Sequence, residues 1–244
     1  MVVLPVILAS SSLHAGLSDL LDAFKGGATQ DAPASAEPAA VAPTDGEMIA
    51  GLKEALNKGT QYAVENLGKD GGFLDNDKVR IPMPDSLAWV EKTLRTLRQD
   101  RLADEFVASM NHAAEQAVPE AAAIFGNAIQ QMSLEDARGI LTGPDDAATQ
   151  YFRRTTSDAL TARMRPIVEE ATSRTGVTSN YKAMTAKAGG LTSLLSKDTT
   201  DLDGYVTEKT LDGLFLMVAE EEKRIRENPL ARTSDLLKKV FGSF

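Results

Sequence analysis

The twelve residues Asp145-Asp146-Ala147-Ala148-Thr149-Gln150-Tyr151-Phe152-Arg153-Arg154-Thr155-Thr156 decide how the chain is read. Gly143 and Pro144 end whatever precedes them, and the two aspartates put negative charge where a helix start favours it. The stretch therefore opens a helix, with Tyr151 and Phe152 read as buried. Arg153 and Arg154 lie about 100° apart on that helix, so at most one of them shares a direction with either aromatic.

Working outward, the same 3.6-residue period recurs almost everywhere. Toward the C-terminus, Pro166 is expected to kink or split the helix near Arg163 to Arg165. A weaker helix around Asn180 to Ala188, a Gly189-Gly190 break and a short Leu191 to Leu195 segment follow. Leu211, Leu214, Phe215, Val218 and Ile225 then define a long helix from about Tyr205 to Arg226, and Leu236, Leu237, Val240 and Phe241 a terminal one after Pro229.

Toward the N-terminus, Ser133 caps a helix from Leu134 to Leu141, and Pro119 begins one whose apolar face is Ile124, Phe125, Ala128 and Ile129. A helix from about Arg101 to Val118 precedes it, behind a turn at Arg98 to Asp100. Leu87, Val90, Leu94 and Leu97 point a further helix, capped by Asp85 or Ser86, at the core. Ile49, Leu52, Leu56, Ala63 and Leu67 line the first helix of the domain, which Gly68 ends. Between them, Val79-Arg80-Ile81-Pro82-Met83-Pro84 alternates in character, and each proline drives the residue before it out of the α region. No second strand candidate is present to pair with this piece. The expected architecture is all-α, an irregular multi-helix bundle crossed by one extended, proline-containing strap.

The chain has 244 residues, 43% of them apolar, enough for one sizeable core. Its formal charge of -9 argues against nucleic acid as a partner. Met1 to Ala9 form a short apolar run followed by small residues, a pattern that reads as a signal peptide over residues 1–15, although it has no basic start and carries Leu13 three residues before the cut. That run is well short of the about 20 residues a membrane span needs. Residues 16–25 follow as a short amphipathic segment with Leu17, Leu20, Leu21 and Phe24 on one stripe, and residues 26–46 as an Ala/Pro-rich linker containing Pro33, Pro38 and Pro43. The helical domain then occupies residues 47–244. A periplasmic or secreted location is the expectation. The absence of cysteine removes disulfides, thiol catalysis and thiolate metal sites alike.

Four segments together resemble the bacterial DUF4197 family, a domain of unknown function: Val79 to Pro84, Met110-Asn111-His112-Ala113-Ala114-Glu115, Gly143 to Thr156, and Ala219-Glu220-Glu221-Glu222-Lys223. The likeness runs from about residue 51 to residue 244. It implies a helical protein of bacterial origin, usually bearing a signal, and brings no reaction and no site residues.

Few residues offer chemistry. His112 and Glu115 stand one turn apart, which suits half a metal site, and an ordinary structural histidine equally. Any triad would need His112 as its base, and no Gly-x-Ser-x-Gly elbow is present. Aligning Gly204 with the glycine of a calcium loop puts Thr199 and Thr210 at the two end positions, so Asp201 and Asp203 read as helix caps. No metal and no cofactor are called for. An arginine at the rim of an apolar cleft suits a carboxylate or phosphate headgroup. Arg153, Arg154, Tyr151, Phe152 and Phe215 are accordingly the candidate ligand-binding set, with a buried or half-buried salt bridge from an arginine to a neighbouring helix, for example to the Glu220 to Glu222 run, as the competing reading. The functional expectation is a non-catalytic domain that binds an apolar or amphipathic ligand, a lipid-like or acidic small molecule. The alternative is a cell-envelope interaction module in which the tethered segment 16–25 meets a partner protein.

Overall fold

The computed structural model describes residues 44–174, 179 and 201–228. The expected signal, the amphipathic segment 16–25, the helix around 180–188, the short segment 191–195 and the terminal helix after Pro229 lie outside the described residues. So does the linker apart from its last three residues.

Helix α1 spans Asp45–Leu67 and reaches back into the end of the expected linker. Its start is a reciprocal cap: the Thr44 hydroxyl accepts from the Glu47 amide, while the Glu47 carboxylate accepts from the Thr44 amide at 2.8 Å. Gly68 ends it, in an ordinary right-handed conformation. A Cβ there would stand 2.9 Å from the Val64 carbonyl and 3.2 Å from the Pro119 ring, so glycine is required by close approach.

Turns carry the chain to the strap at 80–84, which has no strand partner among the described residues and alternates as expected. Val79, Ile81 and Met83 are buried, and Arg80 and Pro82 are exposed. A 3-10 turn over Asp85–Leu87 precedes α2, Ala88–Thr96, which has no side-chain cap; neither Asp85 nor Ser86 performs the role expected of it. Leu97 also departs from expectation. It is 54% exposed because α2 stops at Thr96 and Arg98 turns the chain with φ 54°, which breaks the period that pointed Leu97 inward.

Helix α3 covers Asp100–Ala117 and α4 Ala121–Gln131, joined by a 3-10 turn containing Pro119. Helix α5, Leu134–Thr142, is capped by Ser133, whose hydroxyl accepts from the Asp136 amide. Helix α6 runs unbroken over Ala147–Arg174, through Pro166. The expected split does not occur: Ala162, whose carbonyl loses its donor, is exposed, so water can take the place of the missing amide. Helix α7, Leu202–Glu227, is capped by Asp201. The Gly204 amide holds the Asp201 carboxyl below its ordinary value, and the Arg165 guanidinium adds to the effect.

Helices α6 and α7 make the most extensive pairing, and α3 packs on α6 and α1 on α7. The pair is antiparallel, since Glu222 meets Ala148 and Thr149 at one end and Asp203 meets Thr172 at the other. Phe152, Leu160, Met164 and Val168 of α6, Phe106 and Met110 of α3, Phe125 of α4 and Leu214 and Phe215 of α7 fill one core. Gly213 lets the turn region approach α7, because a Cβ on it would stand 2.8 Å from the Phe73 ring. Among the described residues no helix is long and apolar enough to cross a membrane.

Candidate functional site

The site begins with what fixes the start of α6. The first amides of a helix have no partner within it, and here a carboxylate from another helix supplies one. Glu222 of α7 accepts from the Ala148 amide, the Thr149 amide and the Thr149 hydroxyl, each at 2.9 Å. Its charge is buried and is balanced by Arg226, which also donates to the Ile140 carbonyl at 2.8 Å and so ties α5 to the same junction. The positive end of the α6 dipole adds to the hold on the carboxylate.

With that start fixed, α6 divides the expected site residues between its faces. Phe152 is fully buried, with its ring centroid 4.9 Å from Phe125 and 5.6 Å from Tyr151. Phe215, 1% exposed, stands edge-on to Phe125 at 6.2 Å. These rings belong to the core. Tyr151 is buried at the edge facing α4 and α5, and its hydroxyl donates to the Ala128 carbonyl at 2.8 Å. Burial pushes the Tyr151 phenol above its ordinary value of 10.0, with Asp136 reinforcing and Arg154 opposing the change.

The arginines point outward. Arg154 lies 5.7 Å from the Tyr151 ring and 3.5 Å from Asp136 of α5. Arg153 lies over Phe215, with its guanidinium carbon 4.6 Å from the ring centroid. Among the described residues Arg153 has no carboxylate partner. The Glu220 to Glu222 run pairs elsewhere: Glu220 with Lys78, Glu221 with Arg224 and Glu222 with Arg226. Neither arginine meets that run, whose two buried carboxylates pair with arginines of α7 itself, but Arg154 does make the expected kind of pair with a neighbouring helix, through Asp136 of α5.

Tyr151 and Arg154 line a groove of about 330 Å³ with Asp136 and Ile140 of α5, Pro144 and Gln150. Gln150 stands between the two arginines on the surface of α6, at spacings of three and four residues from them. The exposed face therefore reads groove, Arg154, Gln150, Arg153. Phe152 and Phe215 support it from beneath.

Sequence reasoning missed the buried polar residues that join distant segments. Asn111, fully buried on α3, accepts from the Ile81 amide at 2.8 Å and donates to the Ile81 carbonyl at 2.9 Å, which pins the strap. Glu115, one turn further on, accepts from the Phe73 and Leu74 amides at 3.0 and 3.1 Å and contacts His112 Nδ1 at 2.8 Å. His112 thus orients a structural carboxylate. The signal was present: Asn111 and Glu115 lie on the α3 face that buries Met110, Ala114 and Ala117, where a polar side chain needs partners. Among the described residues no group of three or more His, Asp or Glu side chains is placed to hold a metal ion.

The strap, the Asn111 to Glu115 turn, the start of α6 and the Glu222 turn are the four segments that carry the family resemblance, and these contacts join them in pairs. Comparison with curated proteins and with solved structures finds no match. A family model described as a protein of unknown function, DUF4197, matches residues 42–242. The chain belongs to the DUF4197 family.

Proposed function

We propose that this is an exported, non-catalytic binding domain whose ligand lies across the exposed face of α6. Its apolar part rests in the groove against Tyr151, Ile140 and Pro144, and its acidic group reaches Arg153. The observation that carries the reading is Arg153 itself, an arginine resting on an aromatic ring, open to solvent and without a carboxylate partner among the described residues. Stacking on Phe215 limits the freedom of the side chain before any ligand arrives, which lowers the ordering cost of binding.

The groove volume sets the ligand class. At about 330 Å³ it lies at the low end of small-molecule sites, so it suits a headgroup and a short apolar chain and is too small for a whole lipid. Asp136 neutralises part of Arg154, which leaves Arg153 as the principal anion contact. Three buried polar groups support a non-catalytic role: Asn111, Glu115 and Glu222 are all engaged in holding backbone.

The test is calorimetric titration of the purified chain with dodecyl phosphate and, as a charge control, dodecyltrimethylammonium. The expected result is binding of the phosphate alone, weakened at least tenfold by Arg153→Ala. Equal binding of both amphiphiles, or no effect of Arg153→Ala, would refute the site.

A further inference from the structure

The groove between α5 and α6 has a second space behind it, and one residue lines both. Ala147 and Tyr151 of α6 face the groove, whereas their chain neighbours Ala148 and Phe152 line a crevice shared with Leu56 of α1 and Val218 of α7. Successive residues of a helix point about 100° apart, so the two spaces lie on different sides of α6. Ile140 of α5 is on the wall of each. Beside it the groove is open, because a Cβ on Gly139 would meet nothing within 4 Å. Ile140 is where the groove meets the core.

The crevice shows what Ile140 withholds. Its volume is about 20 Å³, and a single water needs roughly 10–15 Å³, so it admits a methyl-sized group and no chain. Leu56, Phe152 and Val218 make its walls largely apolar, and the Glu222 and Arg226 charges on them are already paired. An alkyl chain that passed Ile140 would therefore enter surroundings that suit it. Arg226 holds the obstacle in place: Ile140 is 3% exposed, and its carbonyl accepts from the Arg226 guanidinium at 2.8 Å, which fixes α5 against α7.

We infer that Ile140 sets the length of apolar chain the site rewards, the chain filling the groove and stopping against this side chain. The inference rests on the binding role proposed above and adds a specificity-determining residue to it. Each methylene buried in the groove strengthens binding about fourfold, and carbons beyond the stop remain in water and add nothing. The Ile140 side chain has three carbons beyond Cβ, and the crevice has room for one more methyl-sized group. Ile140→Ala should thus move the stop by roughly three to four carbons.

The test is calorimetric titration of the full-length chain with every straight-chain alkyl phosphate from butyl to dodecyl, each below its micellar concentration. In the parent, affinity is expected to climb with chain length and then level off. In Ile140→Ala the plateau is expected roughly three to four carbons later. Ile140→Val takes away one carbon and disturbs the fold least; its plateau is expected about one carbon later. Leu94→Ala is a comparable loss from the core at a residue on neither wall, and it should leave the plateau unmoved. A plateau at the parent's length in both Ile140 variants, one that Leu94→Ala moves as well, or a parent affinity still climbing at dodecyl would overturn the inference and leave the binding role standing. If no member of the series binds the parent, the binding role fails and the length limit fails with it.

Discussion

Glu222 shows how one side chain can decide where a helix begins. Its carboxylate replaces the missing partners at the start of α6, and Arg226 makes its burial tolerable. Removing it leaves two amides and a hydroxyl without their acceptor and takes the counter-charge from the Arg226 guanidinium in a buried setting. Glu222→Ala should therefore lower stability by about 3–5 kcal/mol, measured by urea denaturation. Tyr151 gives a prediction of opposite pH sense to an acid-labile carboxylate. Burial raises its pKa in the folded state, so the phenol's contribution is fully present below its ordinary value of 10.0 and is lost as pH rises through the folded value. Urea midpoints between pH 8 and 11.5 should fall less steeply in Tyr151→Phe than in the parent. Near neutral pH the same change removes the bond to Ala128 and costs about 1 kcal/mol.

Among the elements, those with a strong period were legible and those ended by local geometry were less so. The helices, the Ser133 cap and the strap follow from apolar spacing, a capping residue and proline chemistry. Leu97 was misplaced because the period says where a stripe points and not where a helix stops. The start of α1 was legible in principle, since Thr44 and Glu47 form a capping box in plain sequence. The close approach of α7 to the strap region was not, because it depends on Phe73 and Val79 meeting Gly213 across about 140 residues of chain. A side chain at position 213 would meet the Phe73 ring at 2.8 Å and Val79 Cβ at 3.1 Å. Gly213→Ala should cost about 1–3 kcal/mol by overpacking, although it raises intrinsic helix propensity. Thermal unfolding of that variant separates the two effects, and a rise in Tm would show that the contact yields more easily than its geometry indicates.

Taken as a whole, the molecule is a helical core in which buried polar groups join segments far apart in the chain. The family's segments meet one another: Asn111 holds Ile81 and Glu222 holds Ala148 and Thr149. Sequence spacing alone did not disclose those pairings, because their partners lie 30 to 74 residues apart. The candidate site was legible in its residues and not in its arrangement. Arg154 borders the groove beside the buried Tyr151 and Arg153 lies on the other side of Gln150, over Phe215, while Phe152 and Phe215 complete the core behind them. An aromatic beside an arginine in sequence does not say whether its ring lines a cleft or fills the interior. The measurement that bears most directly on the binding role is native mass spectrometry of the chain purified from its own host, alongside Arg153→Ala prepared identically. The account predicts a reproducible extra mass of an acidic amphiphile, lost on denaturation and reduced at least tenfold in the variant; a ligand-free mass for the parent would contradict it.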